Sequence, residues 1–122
     1  MKTNGRSPRR FKIGSRWAGD GDPCYIVAEA GSNHNQSLEL AYKLIEVASQ
    51  AGADAVKFQI FRASRLYPPP AGRANYLKLS VSVYEMIRRM EVPYDWIPKL
   101  AAACRRQKIE FLATPFDEEA VD

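Results

Sequence analysis

The chain has 122 residues, 46% hydrophobic and 26% charged, an ordinary globular composition that excludes a disordered or fibrous protein. Its net charge of +4 belongs to one end: residues 1–16 hold Lys2, Arg6, Arg9, Arg10, Lys12 and Arg16 and no acid, and removing these six leaves 12 basic residues against 14 acidic, so no basic face for nucleic acid is expected. No apolar run is long enough to cross a bilayer, and the start lacks the apolar core of a signal peptide, which excludes a membrane partner and points to the cytoplasm.

Taken in chain order, residues 1–16 read as a basic, flexible tail, and residues 17–122 as one α/β unit. "CYIVAEAG", residues 24–31, has the pattern of a strand. The next segment places Leu38, Ala41, Leu44, Ile45 and Ala48 on one helical face. Asn35 or Ser37 is suited to cap its start, and Gly52 to end it in a left-handed residue. "ADAVKFQIF", residues 53–61, is a second strand. Strand, helix, strand is a βαβ unit, which implies a parallel pair with a right-handed crossover. A long connection follows, with a stiff "PPP" turn at 68–70 and a short helical stretch, "SVYEMIRRM". "YDWIPKLAAACRRQ", residues 94–107, predicts a helix capped by Asp95, with Trp96, Ile97, Leu100, Ala101 and Cys104 as its apolar stripe. A third strand, "KIEFLATPF", covers 108–116, and "DEEAVD" reads as the first turn of another helix. Cys24 and Cys104 are expected to be reduced packing residues.

Strand alternation puts Val56, Phe58 and Ile60 on one face of the second strand and Ala55, Lys57, Gln59 and Phe61 on the other. A lysine and a glutamine alternating on an otherwise apolar strand need an anionic partner or a wet cavity. Glu29 and Thr114 fall near the C-terminal ends of the other two strands. In parallel α/β folds that edge binds ligands. Glu29, Lys57, Gln59 and Thr114 are therefore candidates for one polar pocket, with Glu29 the charge partner of Lys57. The plainer reading of Glu29 and Lys57 is a structural ion pair, and that of Thr114 is strand-end hydrogen bonding. His34, the only histidine, lies between Asn33 and Asn35, where shaping the loop and touching a ligand are both open.

The strings "IVAEAGSNHNQSLELAYKLIEVASQAGADAVKFQIF" and "FLATPFDEEAVD" resemble the sialic acid synthase (N-acetylneuraminate synthase) family over residues 11–122. The combination of a strand ending in AE, then G-x-N-H-N, then GADAVKFQ, then a T-P-F strand end carries the resemblance. Gln36 stands where many members have glycine and Ile60 where threonine is common; neither change touches the polar pocket.

The resemblance implies the N-terminal part of a TIM-type (β/α)8 barrel, about three of its strands. The remaining strands and a C-terminal antifreeze-like domain are expected beyond Asp122. It implies condensation of phosphoenolpyruvate with an N-acetylated hexosamine such as N-acetylmannosamine, giving a nine-carbon 2-keto sugar acid and phosphate. It matches Glu29 and Lys57 to catalytic positions, Lys57, Gln59 and Thr114 to substrate-binding ones, and Asn75 to a sugar contact. It also implies a divalent metal, Mn2+ or Mg2+, with ligands outside this chain, and a homodimeric full-length protein. Residues 1–122 alone are expected to be inactive. Two alternatives share the pocket: another phosphoenolpyruvate-dependent aldolase-type barrel, and a non-catalytic truncated barrel.

Overall fold

The computed structural model describes residues 9–66 and 82–122. The proline run at 68–70 and Asn75 lie outside them.

The first ordered element differs from the expected tail. β1 (Arg10–Ile13) and β2 (Arg16–Gly19) pair antiparallel as a hairpin, so residues 10–16 are not tail. The turn is Gly14-Ser15, with Gly14 at φ +57. The left-handed backbone favours glycine at 14, and a Cβ there would also have to displace the Glu110 carboxylate. Two ion pairs hold the hairpin: Arg10 with Asp22 at 2.6 Å, and Arg16 with Asp54. The basic charge read as a tail property is thus partly neutralised by acids elsewhere in the chain.

The rest is α/β, as expected. β3 (Val27–Gly31), β4 (Ala55–Ile60) and β5 (Glu110–Pro115) form one parallel sheet in chain order, with β4 in the middle. α1 (Leu38–Gln50) connects β3 to β4. Ser37 is its N-cap, accepting from the Leu40 N–H at 3.2 Å, and Gly52 follows its end at φ +78. The second crossover carries α2 (Ala63–Leu66), α3 (Val83–Arg88) and α4 (Ile97–Gln107).

Asp95 is not the N-cap of α4. The chain enters that helix through a 3-10 turn, Tyr94–Trp96, which starts after Pro93, and Asp95 instead pairs with Lys99 at 2.7 Å. Prolines at both positions explain this: Pro93 ends the extended segment, and Pro98 in the first turn lacks the N–H that a cap would satisfy. Cys24 is exposed and precedes β3, so it packs nothing; Cys104 is buried as expected, and burial pushes its thiol up to about 11.

The core lies between the sheet and helices α1 and α4. Val56, Phe58 and Ile60 from β4 meet Ile45, Ala41 and Ala48 from α1 and Leu100, Ala103 and Cys104 from α4. Each of the three β4 residues is at most 1% exposed. Burying such side chains stabilises by about 1.5–3 kcal/mol each, which fixes the register of β4. Because Val56, Phe58 and Ile60 face the helices, Lys57 and Gln59 must face the other way.

Candidate active site

Register aligns the polar residues across three strands. Glu29 is opposite Lys57, and Gln59 is opposite Thr114. The Lys57 ammonium lies 2.5 Å from Glu29 Oε2 and donates to Thr114 Oγ1 at 3.2 Å. One cation from the central strand therefore ties both flanking strands, at mid-strand in β3 and near the C-terminal end of β5. An ammonium has three donors, and these two contacts leave one for a ligand. Gln59 is half-buried on the same face and makes no hydrogen bond to the other three. The structure thus brings together Glu29, Lys57 and Thr114 by contact and Gln59 by register. Asn75 falls outside the described residues.

Exposure separates a structural pair from a binding group. The Lys57 side chain is 31% exposed and that of Glu29 46%, so the pair is open to water among the described residues. Pairs this exposed contribute about 0.2–1 kcal/mol. Stability alone is a weak reason to place a charge pair beside an apolar core.

The aim of Glu29 depends on a feature the strand pattern did not reveal. The β3–β4 ladder pairs Glu29 with Lys57 but Gly31 with Phe58, so Ala30 is an extra residue, a bulge. Gly31 is left-handed at φ +54, and a Cβ on it would lie 3.3 Å from Glu29 Oε1 and 3.8 Å from Asn33 Nδ2. The bare glycine leaves room for the carboxylate. The available signal was Gly31 itself, two residues after an acid at a strand end.

The loop that follows is strained and closely held. Asn35 and Gln36 are both left-handed, at φ +48 and +54, and neither is glycine. Each such residue costs about 1–2 kcal/mol. Four hydrogen bonds oppose that cost. Asn33 Nδ2 donates to the Ala30 carbonyl at 3.0 Å, the Gln36 N–H to His34 Nδ1 at 3.1 Å, the Ser37 N–H to the His34 carbonyl at 2.8 Å, and Gln36 Nε2 to the Arg88 carbonyl at 2.8 Å. His34 is wholly buried, and burial holds its titration below the ordinary histidine range. Its ring meets Trp96 edge to face, with centroids 5.8 Å apart. Of the two roles left open for His34, this geometry is that of loop shaping.

A second cluster, unseen in the sequence, closes the helix side of the same strand ends. Arg62 pairs with Glu119 at 2.6 Å and lies over the Tyr94 ring at 4.2 Å. The Tyr94 hydroxyl donates to Asp117 at 2.8 Å, and burial together with that carboxylate pushes the phenol up to about 12. Asp117 also caps the short 3-10 turn Glu118–Ala120. These residues lie 23 to 57 positions apart, beyond any local pattern.

Among the described residues no three His, Cys, Asp or Glu side chains converge on a point that could hold a metal ion. The implied metal is therefore not fitted by these residues. A groove of about 600 Å3 runs along α1 past Glu39, Tyr42 and Lys43 and includes none of Glu29, Lys57, Gln59 and Thr114.

Fold and site together define a parallel α/β segment with a lysine-centred polar face. The family model described as NeuB family matches residues 44–122, and the chain belongs to that family. It is 41% identical to the spore coat polysaccharide biosynthesis protein SpsE of Bacillus subtilis over 92% of this chain and 30% of that protein. It is 38% identical to an N,N'-diacetyllegionaminic acid synthase of Legionella pneumophila over 99% of this chain and 33% of that one. Among solved structures, the N-acetylneuraminic acid synthetase of Leptospira borgpetersenii in complex with citrate aligns with a TM-score of 0.77 at 26% identity, over 93% of this chain and 36% of that one. The chain spans about a third of the length of the relatives it matches. Among the described residues no helix is long and apolar enough to cross a membrane.

Proposed function

We propose that this chain supplies the phosphoenolpyruvate-binding edge of a sugar acid synthase that condenses phosphoenolpyruvate with an N-acetylated hexosamine. The observation that carries this reading is the Lys57 ammonium held between Glu29 and Thr114 with one donor to spare. Phosphoenolpyruvate is a small dianion or trianion, and a partly open ammonium flanked by a hydroxyl and an amide suits it. Relatives named as legionaminic, pseudaminic and N-acetylneuraminate-9-phosphate synthases support a role in nonulosonic acid synthesis.

In the proposed reaction the enol carbon C3 attacks the sugar aldehyde, forming the new C–C bond. Electron demand builds at C2, where water adds. The C2–O bond to phosphate then breaks, giving the 2-keto group and free phosphate. Glu29 stands beside Lys57, where a carboxylate can stabilise positive character at C2 or orient the water. Lys57, Gln59 and Thr114 hold the carboxylate and phosphate oxygens. A divalent metal, with ligands outside these residues, a closed barrel, a homodimer and a cytoplasmic location belong to the same proposal.

The test is a phosphate-release assay on the full-length protein with Mn2+ or Mg2+. Release should require phosphoenolpyruvate and an N-acetylated hexosamine together. Release with a simple aldose phosphate in place of the N-acetylated sugar would instead favour a different aldolase-type barrel. No release with any acceptor, from a folded protein, would sink the enzymatic reading.

A further inference from the structure

We propose that His34 is a positioning residue for the candidate site: its neutral imidazole sets the left-handed turn through Asn35 and Gln36 and so holds the loop that leaves β3 directly after Glu29. The proposal rests on the reading of Glu29 and Lys57 as a phosphoenolpyruvate site.

Three observations carry it. First, His34 is the one polar side chain with full burial among the described residues. Second, its Nδ1 accepts from the Gln36 N–H, which fixes the ring proton on Nε2, and Nε2 has no partner among the described residues. Third, the ring is clamped from across the fold by Trp96, while Gln36 reaches the end of α3 at the Arg88 carbonyl. The loop is thus fastened to two other elements, through His34 and through Gln36. Gly31 joins this loop to β3, and a Cβ there would lie 3.3 Å from Glu29 Oε1, so the path of the backbone at Gly31 sets the room left for the carboxylate.

A second proton on the ring would land on Nδ1 and face the Gln36 N–H, donor against donor, in a dry site. Charged groups on the neighbouring elements are engaged elsewhere and offer the ring no counter-charge. Glu29 pairs with Lys57, Asp95 with Lys99, and Arg88 with Glu85, and Glu91 accepts from the Ala63 N–H. Glu39 and Arg89 are exposed. None of them forms an ion pair or hydrogen bond with the imidazole. Burial lowers the affinity of His34 for that proton, so the unfolded loop binds it more readily. The hold therefore weakens as pH falls below the ordinary value of 6.5 and is complete above it.

Hydrogen–deuterium exchange on peptides covering residues 32–37, combined with phosphoenolpyruvate kinetics on the full-length protein, tests this. Two variants are compared with the wild type. His34→Asn replaces Nδ1 by a carbonyl acceptor that does not titrate, and His34→Leu fills the space without an acceptor. Corrected for the intrinsic pH dependence of amide exchange, the wild-type loop should show a protection factor at pH 5.5 about tenfold below that at pH 7.5. His34→Asn should keep its protection factor with little pH dependence and most of the affinity. His34→Leu should show at both pH values the low protection factor of the wild type at pH 5.5, and raise the KM for phosphoenolpyruvate at least fivefold, with a smaller change in kcat. The protection factor of a peptide from β4 should be unchanged in all three. A wild-type protection factor that ignores pH overturns the proposal without any variant having to fold. So does a loosened loop with an unchanged KM. A wild type inert toward phosphoenolpyruvate that still shows the exchange contrast overturns the proposed reaction and supports the hold of His34 on the loop.

Discussion

Lys57 and Arg62 lie five positions apart, within β4 and just beyond it, yet their surroundings differ in kind. Lys57 projects from a strand, touches two other strands, and keeps a donor free on the open face. Arg62 projects from a loop, stacks on Tyr94, and pairs with Glu119 on the helix side. The first arrangement fixes a charge and leaves it available. The second uses a charge to close a gap between the loops after β4 and β5. Both cations keep donors to spare, so the difference lies in what holds them: strands of one sheet for Lys57, a ring and a loop carboxylate for Arg62.

Removing the charge at each position should separate the two roles. Lys57→Met in the full-length protein should lower kcat/KM for phosphoenolpyruvate at least ~100-fold, since a charge-assisted contact to a desolvated anion is worth about 3 kcal/mol. Its melting temperature should move by only a few degrees, because so exposed a pair contributes at most ~1 kcal/mol. A large drop in Tm with normal turnover would move Lys57 into the same class as Arg62.

Gly31→Ala probes how tightly the open side is built. The substitution forces a left-handed alanine, at about 1–2 kcal/mol, and presses a methyl 3.3 Å from Glu29 Oε1. Thermal melts should show that loss, and activity should fall about tenfold as the carboxylate shifts. Unchanged activity would mean that the bulge does not aim Glu29.

Tyr94→Phe is the matching change on the closed side. It removes one hydrogen bond, so about 1 kcal/mol of stability should be lost with kcat/KM unchanged. The smallest effect expected is in acid. The Tyr94 hydroxyl holds the Asp117 carboxyl below its ordinary range, so its contribution is present at neutral pH and fades as pH falls through that lowered value. In Tyr94→Phe the acid end of the stability curve should flatten slightly, which urea melts between pH 2.5 and 5 can read.

The open side was legible in the sequence because it obeys alternation. Lys57 and Gln59 break an apolar strand at period two, and the core residues Val56, Phe58 and Ile60 force them outward. The helices were equally legible from their stripes and, for α1, from Ser37 and Gly52. The closed side was not, because Arg62, Tyr94, Asp117 and Glu119 meet only after two crossovers fold. The hairpin was missed for another reason. "FKIGSRWAG" contains two short strands around a Gly-Ser turn, but its basic residues outweighed that pattern, and their partners Asp22 and Asp54 are visible only in three dimensions. The cap at Asp95 failed because two prolines, and not a side-chain oxygen, decide how α4 begins.

Gly14 touches Glu110, a residue near the far end of the chain. That single contact has a consequence for the order of assembly. The hairpin is made of neighbours and can close within microseconds of leaving the ribosome. Its docking surface is finished only when β5 has been synthesised and has paired with β4, a non-local and slower step.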